Sequence, residues 1–276
     1  MKQSEYPPQE PLSAAGEAYG AECWKKSAGI EGIEHAYGDD PYQRLIVYPA
    51  AKPDGRVLLF WHGGGWTSGY KEWMGFMAPG FNAGGVTFVS AGYRLAPQHV
   101  FPAALDDCAA AMRWVYANIA DHGGDPGKLF TGGHSAGGHY ASLLAVSERL
   151  ARARDLDPTR LRGCLPLSGV FLFGEGSGLS MRPRFLGPDP ATDIEASPMR
   201  QIERTPPFFI ACGSSDFPHL IPQAAEFASA LREKGGHVEH VVMPERTHFT
   251  ASFAGGEADG PWVPLALAFM AKFAAG

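Results

Sequence analysis

The chain has 276 residues, of which 45% are hydrophobic and 19% are charged, a composition typical of a globular protein with one substantial core. Its formal net charge is −6 at pH 7 and it contains no run of basic residues, which argues against nucleic acid and anionic membranes as partners. No apolar run approaches the ~20 residues of a membrane span, and the first residues lack the apolar stretch of a signal peptide.

The four cysteines are scattered, without the spacing of a metal site or of a disulfide framework. They are Cys23, Cys108, Cys164 and Cys212. Separated thiols of this kind are typical of buried residues in a reducing compartment. The sequence therefore predicts a cytoplasmic protein, and it leaves the oligomeric state open, with a homodimer among the states that it allows.

From about residue 44 onward, short apolar runs alternate with helical patterns. The predicted strands are residues 44–49, 56–61, 86–90, 128–132, 164–168, 207–212 and 237–243. The predicted helices are residues 103–119, 136–153, 222–235 and 262–273. Strands that are apolar throughout and are followed by helices indicate a sheet covered on both faces. The alternation thus predicts an α/β fold in which helices flank a mostly parallel central sheet.

Two segments interrupt this alternation. Residues 1–40 are punctuated by Gly and Pro, with a short helical pattern around residues 11–27. Residues 171–206 form a long insertion between two predicted strands, and long loops in compact domains are usually lids or binding loops. We expect both segments to form a small cap over one end of the sheet, within a single domain that spans residues 1–276.

The sequence HGGGW at residues 62–66 directly follows the predicted strand 56–61. Three consecutive glycines lose much conformational entropy on folding, which is unfavourable in a loop that has no function. They do, however, let the backbone approach a ligand closely. An acyl-transfer enzyme needs peptide N–H groups aimed at the carbonyl oxygen that gains negative charge. We therefore predict that Gly64 and Gly65 supply donors of an oxyanion hole, and that His62 braces the loop through hydrogen bonds.

A G-x-S-x-G pattern, GHSAG, occupies residues 133–137 between a predicted strand and a predicted helix. This is the setting of a nucleophile elbow, in which the serine adopts a sparsely populated backbone conformation and the glycines avoid clashes. The start of the helix directs free N–H groups toward an anion at the serine. Ser135 is therefore the predicted nucleophile, with the N–H of Ala136 as a further oxyanion donor. A glycine-rich turn that only packs helix against strand is the alternative.

Together, HGGGW at residues 62–66 and GHSAGG at residues 133–138 resemble the α/β-hydrolase superfamily. More narrowly they resemble the hormone-sensitive-lipase-like esterases and the neighbouring arylformamidases, also called kynurenine formamidases. The runs SAGYRLAPQHVFPAALDD at residues 90–107 and FLGPDP at residues 185–190 are similar to the esterase branch. The resemblance covers about residues 37–252 and implies an α/β-hydrolase fold.

The two branches differ at positions that this chain mixes. Trp66, His134 and His139 are similar to the arylformamidase branch, which commonly has a tyrosine where Gly65 stands. The esterase branch usually has an aspartate where His134 stands. The resemblance therefore leaves the choice between the two branches open.

In this fold the acid follows the nucleophile and the histidine comes last, each at the carboxyl end of a parallel strand. Candidate acids after Ser135 include Asp155, Asp157, Asp189, Asp193 and Asp216. Only Asp216 follows a strong predicted strand, residues 207–212. Asp216 is therefore the predicted acid of a Ser-Asp-His catalytic triad.

Four histidines follow this aspartate: His219, His237, His240 and His248. His237 and His240 lie near the starting end of the predicted strand 237–243, away from the expected site, and His219 is only three residues beyond Asp216. His248 follows the carboxyl end of that strand. It is therefore the predicted base, which takes the Ser135 proton while Asp216 stabilises the imidazolium.

Metal chemistry is not indicated, because His134 and His139 are five residues apart and do not share a helix face as ligands four residues apart would. We expect no metal and no cofactor. Several aromatic residues near the motifs are expected to line an apolar substrate pocket. They are Trp66, Tyr70, Phe171, Phe217 and Phe249.

These residues predict a serine hydrolase of the carboxylesterase type, which cleaves a small or aromatic ester through an acyl-enzyme. The resemblance to arylformamidases implies an alternative, hydrolysis of N-formylkynurenine or a similar N-formyl aromatic amine. A second alternative is a protein of the same fold that binds a small ligand without cleaving it. The expected partner is a small-molecule ester or formamide.

Overall fold

An eight-stranded sheet forms the centre of the computed structural model, which describes residues 1–274. The strands in chain order are β1 (Ile33–Ala36), β2 (Arg44–Tyr48), β3 (Gly55–Trp61), β4 (Thr87–Ala91), β5 (Gly124–His134), β6 (Gly163–Leu167), β7 (Phe208–Ser215) and β8 (Val238–Thr247). Their spatial order is β1-β2-β4-β3-β5-β6-β7-β8. The strands from β3 to β8 pair in parallel, whereas β2 is antiparallel to both β1 and β4.

Helices cover both faces of this sheet, as its strand sequences require. The helices are α1 (Ala14–Ser27), α2 (Ala78–Ala83), α3 (Ala103–Asn118), α4 (Ala136–Val146), α5 (Glu148–Arg152), α6 (Ala191–Ala196), α7 (Leu220–Glu233), α8 (His248–Phe253) and α9 (Val263–Ala274). Every residue of β4 and β6 is buried, so neither face of the central sheet meets water there. Every residue of α4 is also buried, which places the helix after Ser135 inside the molecule.

The predicted sheet is confirmed, with two differences. β1 lies within residues 1–40, where we expected only cap structure, and it extends the sheet by pairing with β2. Its side chains are half-buried or exposed, so it lacks the continuous apolar run that identifies the other strands. The other difference is the direction of β2, whose apolar sequence is like that of the parallel strands although both of its neighbours run opposite to it.

The predicted helices also occur, close to their expected bounds, apart from one break. The pattern over residues 136–153 is divided into α4 and α5 at Ser147, which has an extended backbone with φ −96° and ψ 103°. The Ser147 hydroxyl accepts a hydrogen bond from the N–H of Leu150 and thereby begins α5. A serine side chain that bonds a backbone N–H offers an alternative to the regular helical hydrogen bond, so a helix can end and a new one begin at this residue.

Both interrupting segments reach the carboxyl ends of the parallel strands. Residues of α1 and of the preceding loop line one cavity together with Ser135, and so do Leu179 and Met181 of the insertion. The insertion contains α6 and several turns. Parts of both segments, within residues 11–19 and 179–184, therefore line the cavity at Ser135, whereas β1 of the first segment belongs to the sheet.

All four cysteines are buried and carry free thiols. Burial raises the pKa of the Cys164 thiol to about 12, so it stays protonated at neutral pH. Among residues 1–274 no helix combines the length and the apolar character that crossing a bilayer requires. The cytoplasmic location stays a prediction.

Candidate active site

Ser135 stands at a sharp turn between β5 and α4. Its backbone has φ 53° and ψ −116°, a region that non-glycine residues rarely occupy, at a cost of about 1–3 kcal/mol. The turn is held from both sides, because the N–H of Ser135 donates to the carbonyl of Leu167 at 3.0 Å and its carbonyl accepts from the N–H of His139 at 3.0 Å. The Ser135 side chain is half-buried and lines a cavity.

The glycines around Ser135 are required by close backbone contacts. A Cβ at Gly137 would lie 2.1 Å from the carbonyl oxygen of Trp61, and a Cβ at Gly133 would lie 2.2 Å from the carbonyl carbon of Gly137. Any side chain at these positions would push α4 away from β3 and β5. The glycines therefore let the first turn of α4 touch the strand backbone, which sets the position of Ser135.

The structure brings Asp216 and His248 to this serine. Asp216 follows β7, and His248 is the first residue of α8, directly after β8. The Nε2 of His248 lies 3.0 Å from Ser135 Oγ, and its Nδ1 lies 2.7 Å from Asp216 Oδ1. Because the carboxylate only accepts, Nδ1 carries the proton, and Nε2 is left to accept the proton of the serine hydroxyl.

The Asp216 carboxylate is buried but well bonded. Its Oδ2 accepts from Ser168 Oγ at 2.5 Å and from the N–H of Gly213 at 3.3 Å, and its Oδ1 also accepts from the N–H of Phe217 at 2.8 Å. Burial opposes ionisation, but the hydrogen bond and charge of His248, together with these other bonds, hold the pKa of Asp216 below its ordinary value. The group is therefore a carboxylate at neutral pH.

The glycine loop after β3 lies beside Ser135. A Cβ at Gly63 would be 3.1 Å from the Cβ of Ser135. Gly64 and Gly65 have φ of 126° and 62°, and within residues 1–274 their N–H groups have no hydrogen-bond partner. Both residues line the same cavity as Ser135. Ala136 is the first residue of α4, so its N–H has no partner within the helix.

His62 is fully buried beneath this loop. Its Nδ1 lies 2.6 Å from the carbonyl oxygen of Gly63, and its ring stacks on Tyr93 with centroids 4.4 Å apart. The Tyr93 hydroxyl donates to the carbonyl of His62 at 2.8 Å. Burial lowers the pKa of His62 to about 4, so the ring is neutral at pH 7. These contacts are those of a residue that braces the loop.

Trp66 and His139 connect this loop to the insertion. The Nε1–H of Trp66 donates to His139 Nδ1 at 3.1 Å, so His139 Nε2 carries the proton that is donated to the carbonyl of Ala196 at 2.7 Å. Trp66 also stacks on Phe185 with centroids 4.6 Å apart. Burial lowers the pKa of His139 to about 4, which keeps this ring neutral as well.

The cavity at Ser135 has a volume of about 340 Å³. Three of the five predicted aromatic residues line it, namely Trp66, Phe217 and Phe249. The two other predictions are corrected by the structure. Phe171 is fully buried and stacks on Phe227 in the core, with centroids 4.4 Å apart. Tyr70 packs against the aromatic rings of the N-terminal segment and lines a different cavity.

Several residues at the site were missed from the sequence. Ser168 directly follows β6 and hydrogen-bonds Asp216. The sequence signal for it was the polar residue at the end of the apolar run CLPLS, in the strand that precedes the one leading to Asp216. Tyr19 and Leu12 come from the N-terminal segment, and His219 lies beside Phe217. Nothing in the local sequence distinguishes Tyr19 and Leu12, because only the folded chain brings them near Ser135.

The cavity wall is mainly apolar and carries no negative charge. None of the described residues that line it is acidic, and the cation among them is Arg184. Arg184 of the insertion forms an ion pair with Glu10, which joins the two segments that cover the cavity. Within residues 1–274 no group of three or more His, Cys, Asp or Glu side chains is arranged to hold a metal ion.

A family model described as the alpha/beta hydrolase fold matches residues 58–252, more than half of the chain. Carboxylesterase NlhH of Mycobacterium tuberculosis is 40% identical over 126 residues, which cover 45% of this chain and 38% of that protein. Esterase LipC of the same organism is 30% identical over 235 residues, which cover 77% of this chain and 58% of that protein. The chain thus spans about half the length of these relatives.

Solved structures are similar over nearly the whole chain. The esterase of Pyrobaculum calidifontis superposes with a TM-score of 0.77 at 21% identity and covers 99% of this chain and 97% of its own. Esterase 2 of Thermogutta terrifontis, solved with bound butyrate, has a TM-score of 0.73 at 23% identity, with 89% and 95% covered. At these identities the likeness establishes a common fold.

Proposed function

The chain belongs to the family with the alpha/beta hydrolase fold, as its motifs predicted, and from that membership we propose that it is a serine hydrolase that cleaves carboxylic esters. The observation that carries the proposal is the continuous series of hydrogen bonds from Asp216 through His248 to Ser135. This series ends in a cavity, next to backbone N–H groups that have no partner among the described residues. A nucleophile, a base and donors for an oxyanion are the three parts that acyl transfer requires.

The proposed reaction follows from these positions. Ser135 Oγ attacks the ester carbonyl carbon while its proton passes to His248 Nε2, and Asp216 stabilises the resulting imidazolium. The oxyanion accepts hydrogen bonds from the N–H groups of Gly64, Gly65 and Ala136. His248 then returns the proton to the leaving alkoxide, and the acyl group stays on Ser135. Water, activated by the same imidazole, releases the carboxylic acid and restores the serine.

The cavity supports a small or aromatic ester as the substrate class. A volume of about 340 Å³ suits a short acyl chain or a single ring together with a modest alcohol group. Leu179 and Met181 from the insertion and Phe217 beside the base supply an apolar wall. The relatives NlhH and LipC are named as a carboxylesterase and an esterase, which also supports ester cleavage.

The formamidase alternative uses the same three residues, Ser135, His248 and Asp216, which are also able to cleave a formamide. The comparison of substrates described below therefore tests both functions. The two histidines that resemble the arylformamidase branch, His134 and His139, are hydrogen-bonded to other groups of the protein on both ring nitrogens. Neither has a nitrogen left to bind a substrate. No observation therefore favours formamide cleavage over ester cleavage.

Turnover of p-nitrophenyl butyrate should be compared with that of N-formylkynurenine, using the wild type and Ser135→Ala. We expect hydrolysis of the ester by the wild type only, and a covalent adduct at Ser135 after treatment with a serine-directed phosphonate. A strong preference for the formamide would overturn the ester assignment. A folded wild type that forms no adduct and cleaves neither compound would instead indicate a ligand-binding protein.

A further inference from the structure

His134, the residue before Ser135, has both ring nitrogens engaged although it takes no part in the proposed reaction. It is buried, and its Nε2 lies 3.0 Å from the backbone carbonyl oxygen of His248. Its Nδ1 lies 3.2 Å from the hydroxyl of Tyr19, which in turn lies 2.8 Å from Ser252 Oγ. A side chain on the nucleophile elbow is therefore bonded to the main chain of the proposed base.

The direction of each bond in this series is determined by chemistry. The carbonyl of His248 can only accept, so His134 Nε2 carries the proton and donates it. A neutral imidazole then has an unprotonated Nδ1, which accepts from the Tyr19 hydroxyl. The hydroxyl of Tyr19 has its single proton in that bond, so Ser252 donates to the Tyr19 oxygen.

Burial keeps the participants in the protonation states that these directions need. Burial and the neighbouring His248 both hold the pKa of His134 well below its ordinary value, so the ring is neutral at pH 7. Burial also raises the pKa of Tyr19 far above its ordinary value, so the hydroxyl keeps its proton. The rings of His134 and His248 are 4.7 Å apart, and a charged His134 would oppose formation of the His248 imidazolium.

The series is attached to α8 at two places, one turn apart. His248 is the first residue of α8 and Ser252 lies four residues later in the same helix. His134 holds the first of these and Tyr19 of α1 holds the second. The short helix that carries the proposed base is thus fastened to the nucleophile elbow and to α1 together.

We propose that His134 is a positioning residue: its Nε2–H holds the main chain of His248 so that the imidazole stays within hydrogen-bond distance of Ser135. The inference rests on the proposed function. It also assigns a role to the residue at which this chain departs from the aspartate that is usual in the esterase branch. Tyr19 and Ser252 have the supporting role of fixing the tautomer of His134 and the far end of the helical turn.

The test compares three variants with a control in assays of p-nitrophenyl butyrate. His134→Leu removes the donor and should lower kcat about 100-fold, the effect of misplacing a reacting group by about 1 Å. His134→Gln retains an N–H donor and should recover part of that loss. Tyr19→Phe removes both hydrogen bonds of the Tyr19 hydroxyl and keeps the ring, and should lower kcat about 5-fold with KM nearly unchanged.

Tyr116→Phe is the matched control. The Tyr116 hydroxyl lies on α3, is buried, and has no hydrogen-bond partner within residues 1–274, so its removal should leave kcat unchanged. Thermal midpoints of all variants separate loss of folding from loss of positioning. If folded His134→Leu retains kcat within about twofold of the wild type, or changes KM alone, the proposal is overturned.

Nitrogen-15 NMR of histidine-labelled wild type gives a readout that does not depend on activity. We expect His134 to show a protonated Nε2 and an unprotonated Nδ1, and Tyr19→Phe to shift the Nδ1 resonance. A protonated Nδ1 would overturn the inference. An inactive wild type with the expected tautomer would refute the proposed function and leave the hydrogen-bond series standing.

Discussion

Ser168 Oγ donates a hydrogen bond of 2.5 Å to Asp216 Oδ2, the carboxylate oxygen that the imidazole of His248 does not contact. Ser168 follows β6 and is fully buried, with φ 50°. The bond joins the ends of two neighbouring parallel strands and restrains the orientation of the carboxylate. It also favours the ionised form of Asp216, which a buried carboxyl group would otherwise avoid.

Ser168→Ala should therefore lower kcat about 10-fold while KM changes little, because one bond to a charged group is worth about 1.5–3 kcal/mol and Asp216 Oδ2 still accepts from the N–H of Gly213. Steady-state kinetics at pH 7 measure the effect. Ser90→Ala is the control, since the buried Ser90 hydroxyl also donates one hydrogen bond, to the carbonyl of Lys71 at 2.6 Å. Equal loss of kcat in both variants would show that the effect is general destabilisation.

Ser135→Ala and Ser135→Gly should both abolish turnover but should differ in stability. Alanine keeps the Cβ that makes φ 53° unfavourable, so its thermal midpoint should match that of the wild type. Glycine relieves the strain and should gain about 1 kcal/mol after its greater chain entropy is subtracted, a rise of about 2–4 °C. Scanning calorimetry of the three proteins provides the comparison. A large drop in the midpoint of Ser135→Ala would instead favour a packing role for the turn.

Gly64→Ala should be costly to both folding and activity. The new Cβ would lie 1.9 Å from the carbonyl oxygen of Ser68, and φ at this position is 126°. Displacement of the loop should lower kcat about 100-fold or more, as loss of an oxyanion donor does. Gly29→Ala is the matched control, because Gly29 also has a positive φ of 75° but no heavy atom within 4 Å of the added Cβ.

The Gly29→Ala control should lose only about 1 kcal/mol of stability and keep the kcat of the wild type, because its backbone strain lies at residue 29, outside the site. Urea unfolding and ester hydrolysis measured on the same preparations give both values. Equal kcat in Gly64→Ala and the wild type would contradict a role for this loop in binding the oxyanion.

Acid should destabilise the protein through its buried neutral histidines. Burial lowers the pKa of His62 and of His139 to about 4, and that of His134 also lies well below its ordinary value. Unfolding restores ordinary values near 6.5, so the unfolded chain binds more protons than the folded chain at pH 5. The resulting stability is complete above about pH 6.5 and is lost as the pH falls toward 4.

Each of these histidines contributes a slope of up to about 1.4 kcal/mol per pH unit in that window. Urea unfolding between pH 4.5 and 7 should therefore show the free energy of unfolding falling by several kcal/mol. His139→Asn should reduce the number of protons taken up on unfolding by about one at pH 5, which lowers the slope of unfolding free energy against pH by about 1.4 kcal/mol per unit. An unfolding free energy that does not change over this range would contradict the neutral, buried state of these rings.

Much of this site could be predicted from the sequence, because its main parts are encoded by local patterns. Positive φ and close backbone contacts require glycine. The sequence alone therefore identifies the glycine loop at residues 63–65 and the glycines around Ser135 as positions of special backbone geometry. Apolar strands identify the ends from which Asp216 and His248 follow. The partly exposed strand β1 lacks such a pattern, so the sequence does not predict it, and Ser147 interrupts a helix that the apolar periodicity continues.

Tertiary structure alone decided which side chains surround the three predicted groups. The sequence does not distinguish Phe171 from Phe217, since both are phenylalanines in predicted loops. In the structure Phe171 packs on Phe227 in the core, whereas Phe217 stacks on His248 with ring centroids 4.2 Å apart. Tyr19 reaches His134 across 115 positions of the chain. Such contacts depend on how separate elements pack, and composition and periodicity describe each element only by itself.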